Sequence, residues 1–271
     1  MNKLLPLTVL LAFMAGCAKE EVSVAAVEEP AAASAAESGT RFVEYMWCNG
    51  GENYSQENHM ALNADWNARE AASQHQTMGA FGLAPKTPNE AYDGIWANVW
   101  ASPAARDAGW KEWLENEAAD FGAKHDSTFT CNPERAFMFE VEQVIAPAVE
   151  WEGNGPFQAM YRFCKFNEGK TMADADAVRA MFVDWVAAGR AANGPNGFMS
   201  TLLTPTFDPA TKEGAYQGAD YYQGVFWRSE EEKEAGMAGW MSQGGAVREA
   251  FDATLTCEDF EFEIYPIKEM S

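Results

Sequence analysis

Histidine is scarce in this chain. Only three are present, His59, His75 and His125, and none stands in an HxxxH or HxH spacing. No CxxC pair occurs. The residue patterns that hold zinc are therefore missing, and no metal site is expected. There is no glycine-rich phosphate loop and no GxSxG elbow, which removes P-loop and α/β-hydrolase chemistry and leaves no cofactor implied. Basic residues are few: 19 Lys and Arg stand against 41 Asp and Glu, a net charge of −22. Such a chain cannot displace counterions from a duplex, so nucleic acid is not an expected partner. It has no electrostatic hold on anionic lipid either. The apolar run from Leu4 to Met14, broken by Pro6 and Thr8, is too short to cross a bilayer.

What the chain does have is aromatic mass. Aromatics make up 13 % of 271 residues, with 10 Trp, and hydrophobic residues 47 %. Most of the chain should fold around a sizeable core. The start reads as an address. Met1-Asn2-Lys3 is a short positive lead, followed by the apolar run and then Met14-Ala15-Gly16-Cys17, the layout of a signal peptide. The last four residues resemble a bacterial lipobox. The resemblance implies cleavage before Cys17, lipidation of its sulfur, and a membrane partner reached through that anchor. Ala18, rather than Asp, follows the cysteine, which in sorted lipoproteins favours the outer membrane, on its periplasmic or cell-surface side. Residues 18–40 are rich in Ala and Glu and hold no aromatic residue. They cannot offset their ordering entropy by burial and read as a disordered tether.

Four cysteines remain: Cys48, Cys131, Cys164 and Cys257. An even number in an exported chain suggests disulfides, with three connectivities open. An internal repeat chooses among them. Tyr45-Met46-Trp47-Cys48 matches Tyr161-Arg162-Phe163-Cys164. Trp100-Ala101-Ser102, Ala108-Gly109 and Trp113 match Trp227-Arg228-Ser229, Ala235-Gly236 and Trp240 at one constant offset. Thr130-Cys131 and Phe137–Val141 match Thr256-Cys257 and Phe260–Ile264. The halves are 41–146 and 157–271, joined through a Pro- and Gly-containing segment between Ala146 and Pro156.

Each half reads strand, helix, strand, strand, helix, strand. Helices are predicted over 55–73, 103–124, 173–192 and 230–253. This is the split βαβ, ferredoxin-like unit, an α+β class. Its first and last strands are antiparallel neighbours, so the end of strand one meets the start of strand four. That places Cys48 beside Cys131 and Cys164 beside Cys257, and those are the disulfides expected. Two such units in one chain resemble a fused version of the dimeric α+β barrel superfamily, to which the antibiotic-biosynthesis monooxygenases and stress-response barrel proteins belong. The resemblance implies a pseudo-dimeric barrel, two sheets facing each other with helices outside. It also implies a monomer, because one chain completes the barrel.

Side chains alternate across a strand. Val43, Tyr45 and Trp47, with Phe137, Phe139 and Val141 and their second-half matches, form an apolar set expected to lie under the helices. The opposite face is mixed. It carries Glu44, Trp96, Asn98, Trp100 and Glu140 in the first half, and Arg162, Gln223, Trp227 and Glu263 in the second. In a barrel this face is expected to point between the sheets and to hold a small molecule, with Arg162 pairing Glu261 or Glu263. The function expected is a ligand-binding or interaction role for a membrane-anchored lipoprotein. The superfamily resemblance implies an alternative: a cofactor-independent monooxygenase-like enzyme acting on a small aromatic substrate. A purely structural envelope protein is a third reading.

Overall fold

The computed structural model describes residues 40–153, 155–212 and 218–271. Residues 1–17, with the lipobox Cys17, and the tether up to residue 39 lie outside the described residues. The first repeat runs β1 (Arg41–Gly50), α1 (Gln56–Ala72), β2 (Gly79–Pro85), β3 (Gly94–Trp100), α2 (Pro103–Asn116), α3 (Ala118–His125) and β4 (Phe129–Ile145). The second runs β5 (Phe157–Phe166), α4 (Met172–Asn193), β6 (Met199–Pro205), β7 (Tyr221–Trp227), α5 (Glu230–Gln243), α6 (Gly245–Thr254) and β8 (Leu255–Lys268). Both repeats thus follow the predicted order. The single long helix expected before each last strand is split in two, at Glu117 in one repeat and at Gly244 in the other.

Local chemistry explains where the helices begin. Ser55, Ser102 and Ser229 each accept a hydrogen bond from a backbone N–H three residues on, relieving donors the first helical turn leaves unpaired. Thr171 and Asp174 form a capping box at α4. Three glutamates, Glu230, Glu231 and Glu232, fill the first turn of α5, where the helix dipole favours them.

The strands close into one barrel in the order β1-β3-β2-β8-β5-β7-β6-β4, which leaves no free sheet edge. Within each repeat the first and last strands pair antiparallel, and the repeats join through β2–β8 and β4–β6. Cys48 lies opposite Cys131 and Cys164 opposite Cys257, and both disulfides form. The register of β1 on β4 shifts between Met46 and Cys48. The longer arm is in β4, around Asn132-Pro133. That bulge is why Cys131 falls out of phase with Met138 and Glu140 along β4.

The two strand faces are placed opposite to the expectation. The apolar set fills the inside of the barrel. Tyr45, Trp47, Phe137 and Phe139 of the first repeat pack there with Ala159, Tyr161, Phe226 and Phe262 of the second. At the centre the hydroxyls of Tyr45 and Tyr161, equivalent residues of the two repeats, lie 3.1 Å apart and hydrogen-bond to each other. Burial pushes the Tyr45 phenol up to about 12, against a smaller opposing effect of the Tyr161 bond. The mixed face lies under the helices. The physical reason is enclosure. Eight strands wall off the interior from water, which favours the predominantly apolar, aromatic set there. A helical layer covers its sheet less completely, and its own side chains can reach in to partner a charge.

Candidate functional site

The barrel interior keeps a void of only about 20 Å³, room for about one water molecule and far too little for a small-molecule ligand. The ligand space expected between the sheets is therefore filled, and that expectation is corrected. A cavity of about 800 Å³ lies instead outside the barrel, between the sheet of the first repeat and helices α1, α2 and α3. Its floor is the mixed face of β1 and β3, with Met46, Trp96, Asn98 and Trp100. Its roof is Leu62 and Trp66 of α1, Trp110 and Trp113 of α2, and Phe121 of α3. Trp66 meets Trp96 edge to face at 5.1 Å. Helix α2 approaches the floor closely because it carries Gly109: a Cβ there would lie 2.7 Å from the Trp100 ring.

Behind the floor sits Glu44, fully buried. Its Oε1 accepts from Arg106 Nε at 2.8 Å and from a terminal guanidinium nitrogen at 2.5 Å, and its Oε2 accepts from Trp110 Nε1 at 2.8 Å. Burial would lower the pKa of Arg106, but Glu44, with Asp107 adding to it, more than offsets this and the net shift is upward. The pair is therefore an ion pair with compensated charge. Asn98 accepts from Trp96 Nε1 at 2.9 Å. At the other end, Glu70 Oε1 takes the Thr77 hydroxyl at 2.8 Å and Lys268 Nζ at 3.2 Å, as well as the Thr77 N–H.

The roof is braced by charge. Arg69 of α1 reaches Asp65 at 3.1 Å and Glu117 and Asp120 at 2.5 Å each, and His125 Nε2 lies 2.9 Å from Asp65. Glu112 of α2 accepts from the Ser73 hydroxyl and from the N–H groups of Gln74 and His75, tying α2 to the end of α1. The Arg69 hydrogen bond holds both Asp65 and Asp120 below the ordinary aspartate value of 3.8. The Gln74 N–H and then the Ser73 hydroxyl hold Glu112 below 4.5. A carboxylate depressed in the folded state contributes stability that is present above its unfolded pKa and lost as pH falls through the folded one. Urea unfolding should therefore show stability falling between about pH 5 and pH 3, by a modest amount because these groups are partly or wholly exposed to solvent. A flat profile across that window would show that the bracing contributes nothing.

The sequence-derived site residues divide three ways. Glu44, Trp96, Asn98 and Trp100 come together at the cavity. Gln223 and Trp227 occupy the equivalent floor in the second repeat, where Gln223 donates to the Ser200 hydroxyl at 3.0 Å and Trp227 packs with Met160, Val225 and Phe198. Glu140 is exposed on β4, and Glu263 accepts from the neighbouring Tyr265 hydroxyl. Arg162 pairs with neither Glu261 nor Glu263 but with Asp259, at 2.9 Å, its direct partner in the β5–β8 register. Glu261 is taken by Lys233. Among the described residues no cluster of three or more metal-ligating side chains is present. Sequence reasoning missed Trp66, Arg106 and Trp110, all on helices. The comparison of helices between repeats points to the first of them. By the spacing that matches Ser55 to Thr171, α4 places Phe182, Trp185 and Val186 where α1 has Trp66, Arg69 and Glu70. Those residues form an apolar cluster with Trp240 and Phe251 in the second repeat's helix–sheet space.

No protein-family model matches the chain, and no curated protein matches it in sequence. Solved structures do share the fold. A proposed monooxygenase from Fusobacterium nucleatum superposes with a TM-score of 0.52 at 9 % identity, over 86 % of this chain and 99 % of that one. A chlorite dismutase variant from Candidatus Nitrospira defluvii superposes with a TM-score of 0.51 at 9 % identity, over 86 % of this chain and 93 % of that one. The chain therefore has the α+β barrel architecture of these proteins. The expectation of a binding or interaction role is corrected on two counts: the structures sharing this fold carry the names of enzymes, and the space between the sheets that it relied on is too small for a ligand.

Proposed function

We propose that the protein is an enzyme that oxidises a small planar aromatic substrate with molecular oxygen in the first-repeat cavity. One observation carries this reading. The first repeat holds a cavity of about 800 Å³ walled by tryptophans between its sheet and helices, whereas the described residues at the matching place of the second repeat form an apolar cluster around Phe182, Val186, Val247 and Phe251. A tryptophan-walled cavity of that size fits a site for a flat aromatic molecule. The names of the two fold neighbours, a proposed monooxygenase and a chlorite dismutase, support oxidative chemistry.

A substrate with a methylene activated by a ketone and flanking rings suits such a pocket. Loss of a proton gives an enolate, which supplies the electrons that reduce oxygen. In balance, the methylene carbon loses both hydrogens and becomes a carbonyl carbon. One atom of molecular oxygen enters that carbonyl, and the other leaves with the two hydrogens as water. The base assigned here is Glu70. It is buried and lines the cavity, and its Oε2 makes no hydrogen bond to the described residues while Lys268 compensates its charge at Oε1. An oxygen electrode with anthrone as substrate tests this. Uptake above the spontaneous rate is expected, one oxygen molecule per anthrone, with Glu70→Gln lowering kcat by about 100-fold; thermal unfolding checks that the variant, which keeps an acceptor for Thr77 but loses the charge paired with Lys268, is folded at the assay temperature. No enzyme-dependent uptake with anthrones, hydroquinones or naphthols would refute the reading.

We also propose export and lipidation at Cys17, supported by Met14-Ala15-Gly16-Cys17. Incorporation of labelled palmitate in a bacterial host, abolished in Cys17→Ser, is the expected result. Equal labelling of the variant would contradict it.

A further inference from the structure

We infer that the cavity is selective for an uncharged planar aromatic ketone, and that Glu44 is the residue that sets this charge selectivity. The inference deepens the proposed function and rests on the cavity being the substrate site. It begins from the cations. Among the described residues two arginines line the cavity, Arg69 and Arg106, together with His75. Arg69 is held by three carboxylates, Asp65, Glu117 and Asp120. Arg106 is held by Glu44, and at its other terminal nitrogen by Asp107. Neither has charge to spare for an anion, and an anion entering would also meet Glu112, Glu117 and Asp126 on the cavity wall. Carboxylates and phosphates are disfavoured on those grounds.

The polar groups on the floor then decide what a neutral ligand must offer. The Asn98 carbonyl is occupied by Trp96 Nε1, and both oxygens of Glu44 are occupied. The Asn98 amide nitrogen has no acceptor among the described residues, although Asn98 is 5 % exposed and lines the cavity. That nitrogen is open to the cavity, and a ligand oxygen placed over this floor gives it an acceptor. The floor therefore asks for an acceptor, the aromatic walls ask for a flat ring system, and the compensated arginines ask for neutrality.

Glu44 is the source of that neutrality. Its equivalent in the second repeat, by the spacing that matches Tyr45 to Tyr161, is Met160. A buried carboxylate thus stands at this place in the copy that has the cavity, and a methionine in the other. Without it, Arg106 would present an uncompensated guanidinium at the edge of the floor, a carboxylate receptor.

The test uses the full chain and four probes of one shape: 9-fluorenone, fluorene, fluorene-9-carboxylate and 9-aminofluorene. Affinities are read by equilibrium dialysis at neutral pH. Fluorenone is expected to bind at least ten-fold more tightly than fluorene, the carboxylate more weakly than fluorene, and the amine more weakly than fluorenone, because the wall carboxylates Glu112 and Glu117 are already engaged by Ser73 and Arg69. Glu44→Gln is expected to raise affinity for fluorene-9-carboxylate at least ten-fold and to leave fluorene unchanged. Asn98→Asp keeps the acceptor for Trp96 but removes the amide donor, and should reduce fluorenone to the affinity of fluorene. Fluorene binding as well as fluorenone to the unaltered protein would overturn the inference. So would binding of the carboxylate as tight as that of fluorene, or of the amine as tight as that of fluorenone. The four-probe ranking on unaltered protein decides the matter even where Glu44→Gln fails to fold. Ketone preference without oxygen uptake would remove the enzymatic reading and leave this selectivity standing; oxygen uptake without ketone preference would do the reverse.

Discussion

Replacing Arg106 with alanine should lower stability by about 3 kcal/mol, and adding Glu44→Met should recover most of that loss. The reason lies in what Arg106 leaves behind. Glu44 is completely covered, and two of its three hydrogen bonds come from Arg106. Removing one partner of a buried ion pair strands the other, at a cost of about 3–5 kcal/mol. The lower end applies because the Arg106 side chain is 31 % exposed, so water can enter where it stood. For a chain of this size such a loss lowers Tm by about 10 °C. The rescue follows from the repeat. Methionine is the residue the second half carries at this place, and an apolar side chain of similar volume needs no partner. Chemical denaturation of the two single variants and the double variant closes the cycle, and the coupling between sites should be near the size of the Arg106→Ala loss. A loss below about 1 kcal/mol for Arg106→Ala would mean that Glu44 is protonated or hydrated and that the pair does not organise the cavity.

Deleting either disulfide should cost on the order of 4 kcal/mol, as the loop-closure entropy of such long spans implies. The loops closed are 83 and 93 residues apart in sequence, so each bridge ties the first strand of a repeat to its last across almost the whole unit. The two deletions should nevertheless differ in kind. Cys131 lines the cavity, and Cys48 is buried among Met46, Leu62, Trp66 and Trp96, its walls. Cys48→Ala with Cys131→Ala should therefore lower both stability and fluorenone affinity. Cys164 packs in the apolar cluster of the second repeat, so Cys164→Ala with Cys257→Ala should lower stability alone. Equal loss of affinity in both variants would argue against a ligand site confined to the first repeat.

The architecture was legible because the chain states it twice. Trp100 and Trp227, Ser102 and Ser229, Gly109 and Gly236 recur in step, and the cysteines fall where the topology brings strand ends together. Alternation along a strand shows which side chains share a face: Glu44 goes with Met46, and Tyr45 with Trp47. It does not show which face the helices take. An aromatic face suits either a helix-covered layer or a closed barrel, and only closure of all eight strands requires the aromatic face inside. The cavity was less legible. Its floor residues could be named, but the difference between repeats resides in helix positions, Arg69 against Trp185 and Glu70 against Val186, where polar residues on α1 read as an ordinary solvated face. Arg106 gave no strand-pattern signal at all, because its partner Glu44 is 62 residues away.

Amide hydrogen exchange of the protein with and without saturating 9-fluorenone tests most directly whether function resides in the first-repeat cavity. Added protection should be confined to helices α1, α2 and α3 and to the Ser73–Thr77 segment that Glu112 ties down, with α4, α5 and α6 unchanged. Protection centred on the second-repeat helices, or spread evenly around the barrel strands with α1–α3 unaffected, would contradict it.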